Sequence, residues 1–233
     1  MLFLVKICLS STFGLAPKKE YVMHDEDIFL RCKLHSKKLH RPFLGRKMKI
    51  CIVSGTNRKG SMSLKIAEKM QKQYEEHGAE VVLIDLSRLP PSCFSPTIYQ
   101  EKPKDLDPFL APILQADGVL FIVAEYNGSF PGILKYYIDM WKYPESFEGR
   151  KVAYVGVSAG IWGGLRAVEH LQGVMGYRNA WQYPKRIFIN NIYQRWDYPT
   201  STLKKLTEKE YDIEQLLLEQ TQGFLGFIQC DIR

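Results

Sequence analysis

Ten consecutive residues, Ser54-Gly55-Thr56-Asn57-Arg58-Lys59-Gly60-Ser61-Met62-Ser63, carry the chemistry of an anion site. Thr56, Ser61 and Ser63 can each donate a hydroxyl proton to a phosphate oxygen, and Arg58 can add a charge-assisted contact. Gly55 and Gly60 let the backbone turn around such a ligand. The same residues also read as a plain turn closed by a serine N-cap, which opens many helices that bind nothing. The stretch is neither Gly-x-Gly-x-x-Gly nor a loop ending in Gly-Lys-Ser/Thr, so the two common nucleotide fingerprints are disfavoured.

A phosphate is held there only if a strand delivers the loop and a helix leaves it. Lys49 to Val53 is a short apolar run that reads as the strand, and Leu64 to Tyr74 is amphipathic at helical spacing. The first N–H groups of such a helix have no internal partner, and its dipole adds partial positive charge at the loop. Thr56, Arg58, Ser61, Met62 and Ser63 form the expected cradle.

Two further loops fall where the same site would need them. Ala124-Glu125-Tyr126-Asn127-Gly128-Ser129-Phe130-Pro131-Gly132 can wrap a flat ligand, with peptide groups for its polar edge and Tyr126 and Phe130 for its face. The same aromatics can instead cover the end of a sheet, with Pro131 opening a helix. Ser158-Ala159-Gly160-Ile161-Trp162-Gly163-Gly164-Leu165-Arg166 is the third loop, rich in glycine.

The elements between these loops alternate. Strands are expected at Glu80 to Leu86, Val119 to Val123, Val152 to Val157 and Arg186 to Ile189, with helices from Asp107, Gly132, Gly163 and Thr207. The proline-rich connection from Leu89 to Pro103 reads as an exposed loop. Five strands alternating with helices predict an α/β fold, a doubly wound parallel sheet in flavodoxin-like order 2-1-3-4-5. In that order the loops after strands one, three and four meet at the carboxyl edge of the sheet.

The second loop and its helix resemble the pattern Pro-Glu-Tyr-Asn-x-Ser-x-Pro-Gly-x-Leu-Lys-Asn-x-Ile-Asp of the NADPH-dependent FMN reductases, the flavodoxin-like group that includes quinone, azo-dye and chromate reductases. Glu125, Tyr126, Asn127, Ser129, Pro131, Gly132, Leu134, Lys135, Ile138 and Asp139 match it, while Ala124 replaces proline and Tyr136 replaces asparagine. The first loop is similar to Gly-Ser-x-Arg-x-x-Ser-x-Asn through Gly55, Arg58 and Ser61, with Thr56 for serine and Ser63 for asparagine. The third resembles the family's glycine-rich stretch ending in Gly-Gly-x-Arg. The resemblance spans about residues 48 to 190; the aromatic segment from Asn190 to Thr202 fits it loosely.

The resemblance implies non-covalent FMN, with its phosphate at the first loop and ring or ribityl contacts from Glu125, Tyr126, Asn127, Gly128, Ser158, Ala159, Gly160 and Gly163. It implies NADPH or NADH as co-substrate and a small electron acceptor such as a quinone, an azo compound or free flavin. No catalytic acid, base or nucleophile is needed, because the cofactor carries the chemistry. Arg166 either binds a nicotinamide-nucleotide phosphate or pairs with a carboxylate. A homodimer or homotetramer is implied as well, and Tyr137, Trp141 and Trp162 suggest an apolar face for it. The alternative is a flavodoxin-like electron carrier, or an FMN-binding protein without NAD(P)H turnover. Arg58-Lys59 in the phosphate loop counts against the carrier.

Composition narrows the partners. Of the net charge of +7 over 233 residues, a surplus of six Lys/Arg lies in residues 1 to 47, so the remainder is nearly neutral and gives no nucleic-acid signal. Five cysteines without a CxxC fit a reducing, cytoplasmic setting, and His77 and His170 lack a second ligand at metal spacing. No apolar run is long enough to cross a bilayer. Residues 1 to 47 read as a basic extension: a flexible tail, a weak targeting segment, or upstream sequence not normally translated, with Met48 as a natural start. The domain is then 48 to 233.

Overall fold

A computed structural model of the chain describes residues 46 to 230. The expected basic extension lies, up to residue 45, outside the described residues.

Three strands are buried almost end to end: β1 (Lys49–Ser54), β3 (Gly118–Ala124) and β4 (Lys151–Val157). Strands covered on both faces read as continuous apolar runs, as these do. They lie parallel beside β2 (Glu80–Asp85) in the order β2-β1-β3-β4, with the fifth position beyond β4. Two short strands share that position, β5 (Trp181–Gln182) and β6 (Ile187–Ile189), both parallel to β4. The sequence reading has only the second of them. Pro184, which has no N–H to give a ladder, stands in the gap.

Alternation along the strands sorts the core into two layers. Ile50, Ile52, Leu120, Ile122, Ala153 and Val155 face α1 (Met62–Glu76) and α6 (Ile213–Gln229). Cys51, Val53, Val119, Phe121, Val152 and Tyr154 face α2 (Asp107–Gln115), α3 (Gly132–Asp139) and α4 (Leu165–Tyr177). Helices on both faces of a parallel sheet make the flavodoxin-like α/β arrangement, and every long connection leaves from the same carboxyl edge.

Several details differ from the sequence reading. The proline-rich connection is anchored, with Cys93 and Ile98 buried in the α2–α3 layer, one short 3-10 turn (Pro91–Phe94) within it and one on either side. Helix α6 starts at Ile213 rather than Thr207, capped by Asp212, whose carboxylate accepts from the Gln215 N–H at 3.3 Å. Glu210, before the helix, pairs instead with Arg195. Tyr137 and Trp141 do not form an outer face. Trp141 stacks on Phe121 at 5.9 Å and meets Tyr137 edge-on at 5.7 Å, inside the core. Only Trp162 of the three is exposed, with the Arg166 guanidinium 5.9 Å from its ring. Lys135 and Asp139, one turn apart on α3, form a surface ion pair at 2.7 Å.

Candidate cofactor site

The loop after β1 is held by its glycine. Gly55 donates to the Ile122 carbonyl at 2.9 Å, and a Cβ there would stand 2.9 Å from that oxygen and from Leu134. Pressed against β3 in this way, the chain turns Thr56 inward and then rises to α1. Ser61 caps the helix, accepting from the Leu64 N–H at 3.1 Å, while the Lys65 N–H reaches the Ser61 carbonyl at 3.3 Å. The amides of Met62 and Ser63, first in the helix, remain directed at the loop. Capping uses an acceptor lone pair of Ser61 and leaves its proton to give.

Thr56 is committed in a similar way. Its Oγ1 accepts from the Arg58 N–H at 3.3 Å and lies 2.7 Å from the Tyr126 hydroxyl. With Tyr126 donating, the Thr56 proton is available to an anion. Thr56, Ser61 and Ser63 are buried while Arg58 is exposed, so the hydroxyls form a floor and the guanidinium a rim.

The loop after β3 makes a tight corner. Tyr126 and Ser129 exchange N–H···O bonds of 2.8 and 3.1 Å around Asn127 and Gly128, whose φ values are +53° and +78°. Positive φ at both central residues is the geometry that Asn-Gly favours. Just before it, the Glu125 N–H donates to the Val157 carbonyl at 3.3 Å, and Oε2 of its carboxyl is buried with no protein partner. The loop after β4 is tied to the residues after β6. The Asn191 N–H donates to the Gly160 carbonyl and the Ile192 N–H to the Ser158 carbonyl, both at 3.1 Å.

Between the loops lies a cavity of about 470 Å3. Thr56, Arg58, Ser61, Met62 and Ser63 line one end, and Ala124, Glu125, Tyr126, Asn127, Val157, Ser158 and Ala159 the other. Ten of the sequence-predicted residues therefore meet. Gly128, Gly160 and Gly163 are not among the lining residues. Gly128 forms the corner just described, and the Gly160 carbonyl also accepts from the Ser158 hydroxyl at 3.0 Å. Gly163, at φ +61°, lets the loop press on β6, where a Cβ would stand 2.9 Å from the Phe188 backbone. Phe130 packs against the core, covering the sheet end, and lines no part of the cavity.

Four lining residues are not among those expected at the site: Ala124 and Val157, at the ends of β3 and β4, and Ile192 and Tyr193, which come from a segment outside the three loops. Ile192 and Tyr193 belong to α5 (Ile192–Arg195), a single turn in the segment that fits the resemblance loosely. Arg195, 2% exposed, fixes that turn: it donates to the Asn190 carbonyl at 2.9 Å and pairs with Glu210 at 2.8 and 3.0 Å. Glu210 is held down at about 2 by those Arg195 bonds and by the Leu206 N–H.

The family model of the NADPH-dependent FMN reductases matches residues 48–194, which take in all three loops. The chain belongs to this family. A 2-hydroxy-1,4-benzoquinone reductase of Burkholderia is 30% identical over 133 residues, 56% of this chain and 71% of that one. An Escherichia coli quinone reductase is 28% identical over 155 residues, covering 65% and 81%. An NAD(P)H-dependent FMN reductase of Pseudomonas aeruginosa is 27% identical over 184 residues, covering 76% and 98%. Among solved structures, the Paracoccus denitrificans flavoenzyme FerB, an NAD(P)H:(acceptor) oxidoreductase, shares the fold at a TM-score of 0.64 and 23% identity, covering 78% of this chain and 97% of that one. As an FMN reductase by family, the chain is an oxidoreductase that works with FMN and NAD(P)H. Arg195 and Glu210 lie beyond the family match, so the turn that carries Tyr193 is secured by residues outside it. Among the described residues no helix is long and apolar enough to cross a membrane.

Proposed function

We propose that the cavity holds FMN and that the protein passes two electrons from NAD(P)H to a small acceptor, a quinone before an azo compound or free flavin. The donor set supports it. A phosphate needs several donors and no nearby carboxylate, and the first loop offers three hydroxyls, two helix N-terminal amides and Arg58 without an acidic side chain from Ser54 to Ser63. At the other end the orphaned Glu125 oxygen calls for a donor, and the isoalloxazine edge has one in its ring N–H. This pairing of a donor floor with an unpartnered acceptor is the observation that carries the reading.

FMN supplies the chemistry when bound: hydride in from NAD(P)H, two electrons out to the acceptor. The residues do the positioning. Thr56, Arg58, Ser61, Met62 and Ser63 hold the phosphate, and Glu125, Tyr126, Asn127, Ser158 and Ala159 hold the ring and ribityl chain. Tyr193 adds an aromatic wall to the cavity. The quinone preference rests on the activities for which the Burkholderia and E. coli relatives are named. The working form we propose is a cytoplasmic homodimer or homotetramer. Its contact is the groove of about 510 Å3 between α3 and α4, where Tyr143 and Tyr177 are exposed beside Ile138 and Val174.

Anaerobic addition of NADPH to the FMN-loaded protein tests the function. Bleaching of the flavin absorbance, reversed by a stoichiometric quinone, is expected. A flavin that NADPH and NADH both leave oxidised contradicts it. Light scattering at micromolar protein tests the assembly, which a monomer mass refutes.

A further inference from the structure

A second recess, of about 360 Å3, adjoins the cofactor cavity and shares Tyr126 with it. Its walls are Phe94, Pro131, Ile133 and Tyr136, with Asn57 of the first loop at the rim. Among the described residues no charged side chain lines it. Phe94 comes from the proline-rich connection and stacks on Tyr136 of α3, ring centroids 5.4 Å apart and planes within 20°. The Tyr136 hydroxyl donates to the Cys93 carbonyl at 2.5 Å, so ring and hydroxyl both grip the turn that carries Phe94. Burial pushes that hydroxyl's pKa up, with Tyr99 and Cys93 adding to the shift, and keeps it a donor.

Phe94 shares its exposure with Tyr99 of the same connection, but of the two only Phe94 lines the recess. Its neighbours in the same connection, Cys93 and Ile98, are wholly buried, yet Phe94 is 57% exposed on a turn pinned from both sides. Tyr136 also stands where the family pattern has asparagine, which could neither stack on Phe94 nor reach Cys93 in this way. The apolar wall is therefore a feature of this chain, continuous with the site where electrons leave.

We propose that this recess takes the hydrocarbon substituent of the electron acceptor, which makes the preferred acceptor a quinone bearing an apolar side chain rather than a small hydrophilic or anionic oxidant. The inference rests on the FMN reading above. NAD(P)H, a proton and the quinone give NAD(P)+ and the hydroquinone: the hydride's two electrons and the two protons end on the quinone, and the substituent is unchanged. Phe94 and Tyr136 set specificity by receiving the substituent and take no part in electron transfer.

The test compares three oxidants with the full chain, FMN and NADPH: ferricyanide, 1,4-benzoquinone and a decyl-substituted 1,4-benzoquinone. The wild type should show a KM for the decyl quinone about tenfold below that for benzoquinone. Phe94→Ala and Tyr136→Asn should each raise the decyl-quinone KM about tenfold, with kcat and the benzoquinone and ferricyanide rates held within about twofold. Phe94→Leu, still apolar, should recover most of the loss. Equal effects on all three oxidants, or no preference in the wild type, overturn the recess while leaving the FMN reading intact. Absence of flavin uptake and of ferricyanide reduction overturns both.

Discussion

Thr56 Oγ1 lies 2.7 Å from the Tyr126 hydroxyl, a hydrogen bond that joins the loop after β1 to the loop after β3 across 70 residues of chain. It sets the spacing between the phosphate end of the cavity and its ring end. Thr56→Val keeps the shape and removes the bond together with the proton offered to the ligand. Its FMN Kd should rise about fivefold, the equivalent of roughly 1 kcal/mol. Tyr126→Phe, which removes only the inter-loop bond, should cost less, as a flavin fluorescence titration would read.

Arg58 separates phosphate binding from ring binding. Arg58→Ala should weaken FMN about tenfold or more, since a charge-assisted contact contributes roughly 1.5–3 kcal/mol. Riboflavin, which lacks the phosphate, should bind both proteins alike. An equal loss for the two flavins would place Arg58 outside the phosphate end.

Gly163 should prove structural. Its φ is +61°, and a Cβ added there would lie 2.9 Å from Phe188, which leaves no room for a side chain. Gly163→Ala should lose about 1–3 kcal/mol of stability and several degrees of Tm. FMN affinity, measured where the variant is still folded, should change less than about twofold.

The Arg195–Glu210 pair makes the turn carrying Tyr193 sensitive to acid. The Glu210 pKa is lowered from 4.5 to about 2 in the folded protein, so its contribution is present above about pH 4.5 and fades as pH falls toward 2. Glu210→Gln should melt below the wild type at pH 7, and the gap should narrow progressively below pH 4.5. A gap that stays constant from pH 7 to pH 3 would show that the pair does not stabilise the fold.

How much of this was legible in the sequence depends on how local its cause is. The apolar runs of β1, β3 and β4 and the turn chemistry after each are written in neighbouring residues, so the sheet order and ten lining residues could be anticipated. Asn127-Gly128 even carries the signature of its two-residue corner. Tyr193 had no such signal. It reaches the cavity because Asn191 and Ile192 bond back to Gly160 and Ser158, and because Arg195 is held by a carboxylate 15 residues on. The displaced start of α6 has the same origin, since Glu210, just before Asp212, pairs with Arg195 and accepts from the Leu206 N–H. Tyr137 and Trp141 look like an outer apolar face until Phe121 and Phe147 are seen to pack on Trp141 from within.

Titration of the apoprotein with FMN, followed by its visible spectrum and quenched fluorescence, tests the central claim most directly. One FMN per chain is predicted, bound on the order of a hundredfold tighter than riboflavin because hydroxyls, helix amides and Arg58 act together on the phosphate. A protein that takes up no FMN, or that binds riboflavin as tightly, would contradict the phosphate cradle and the function built on it.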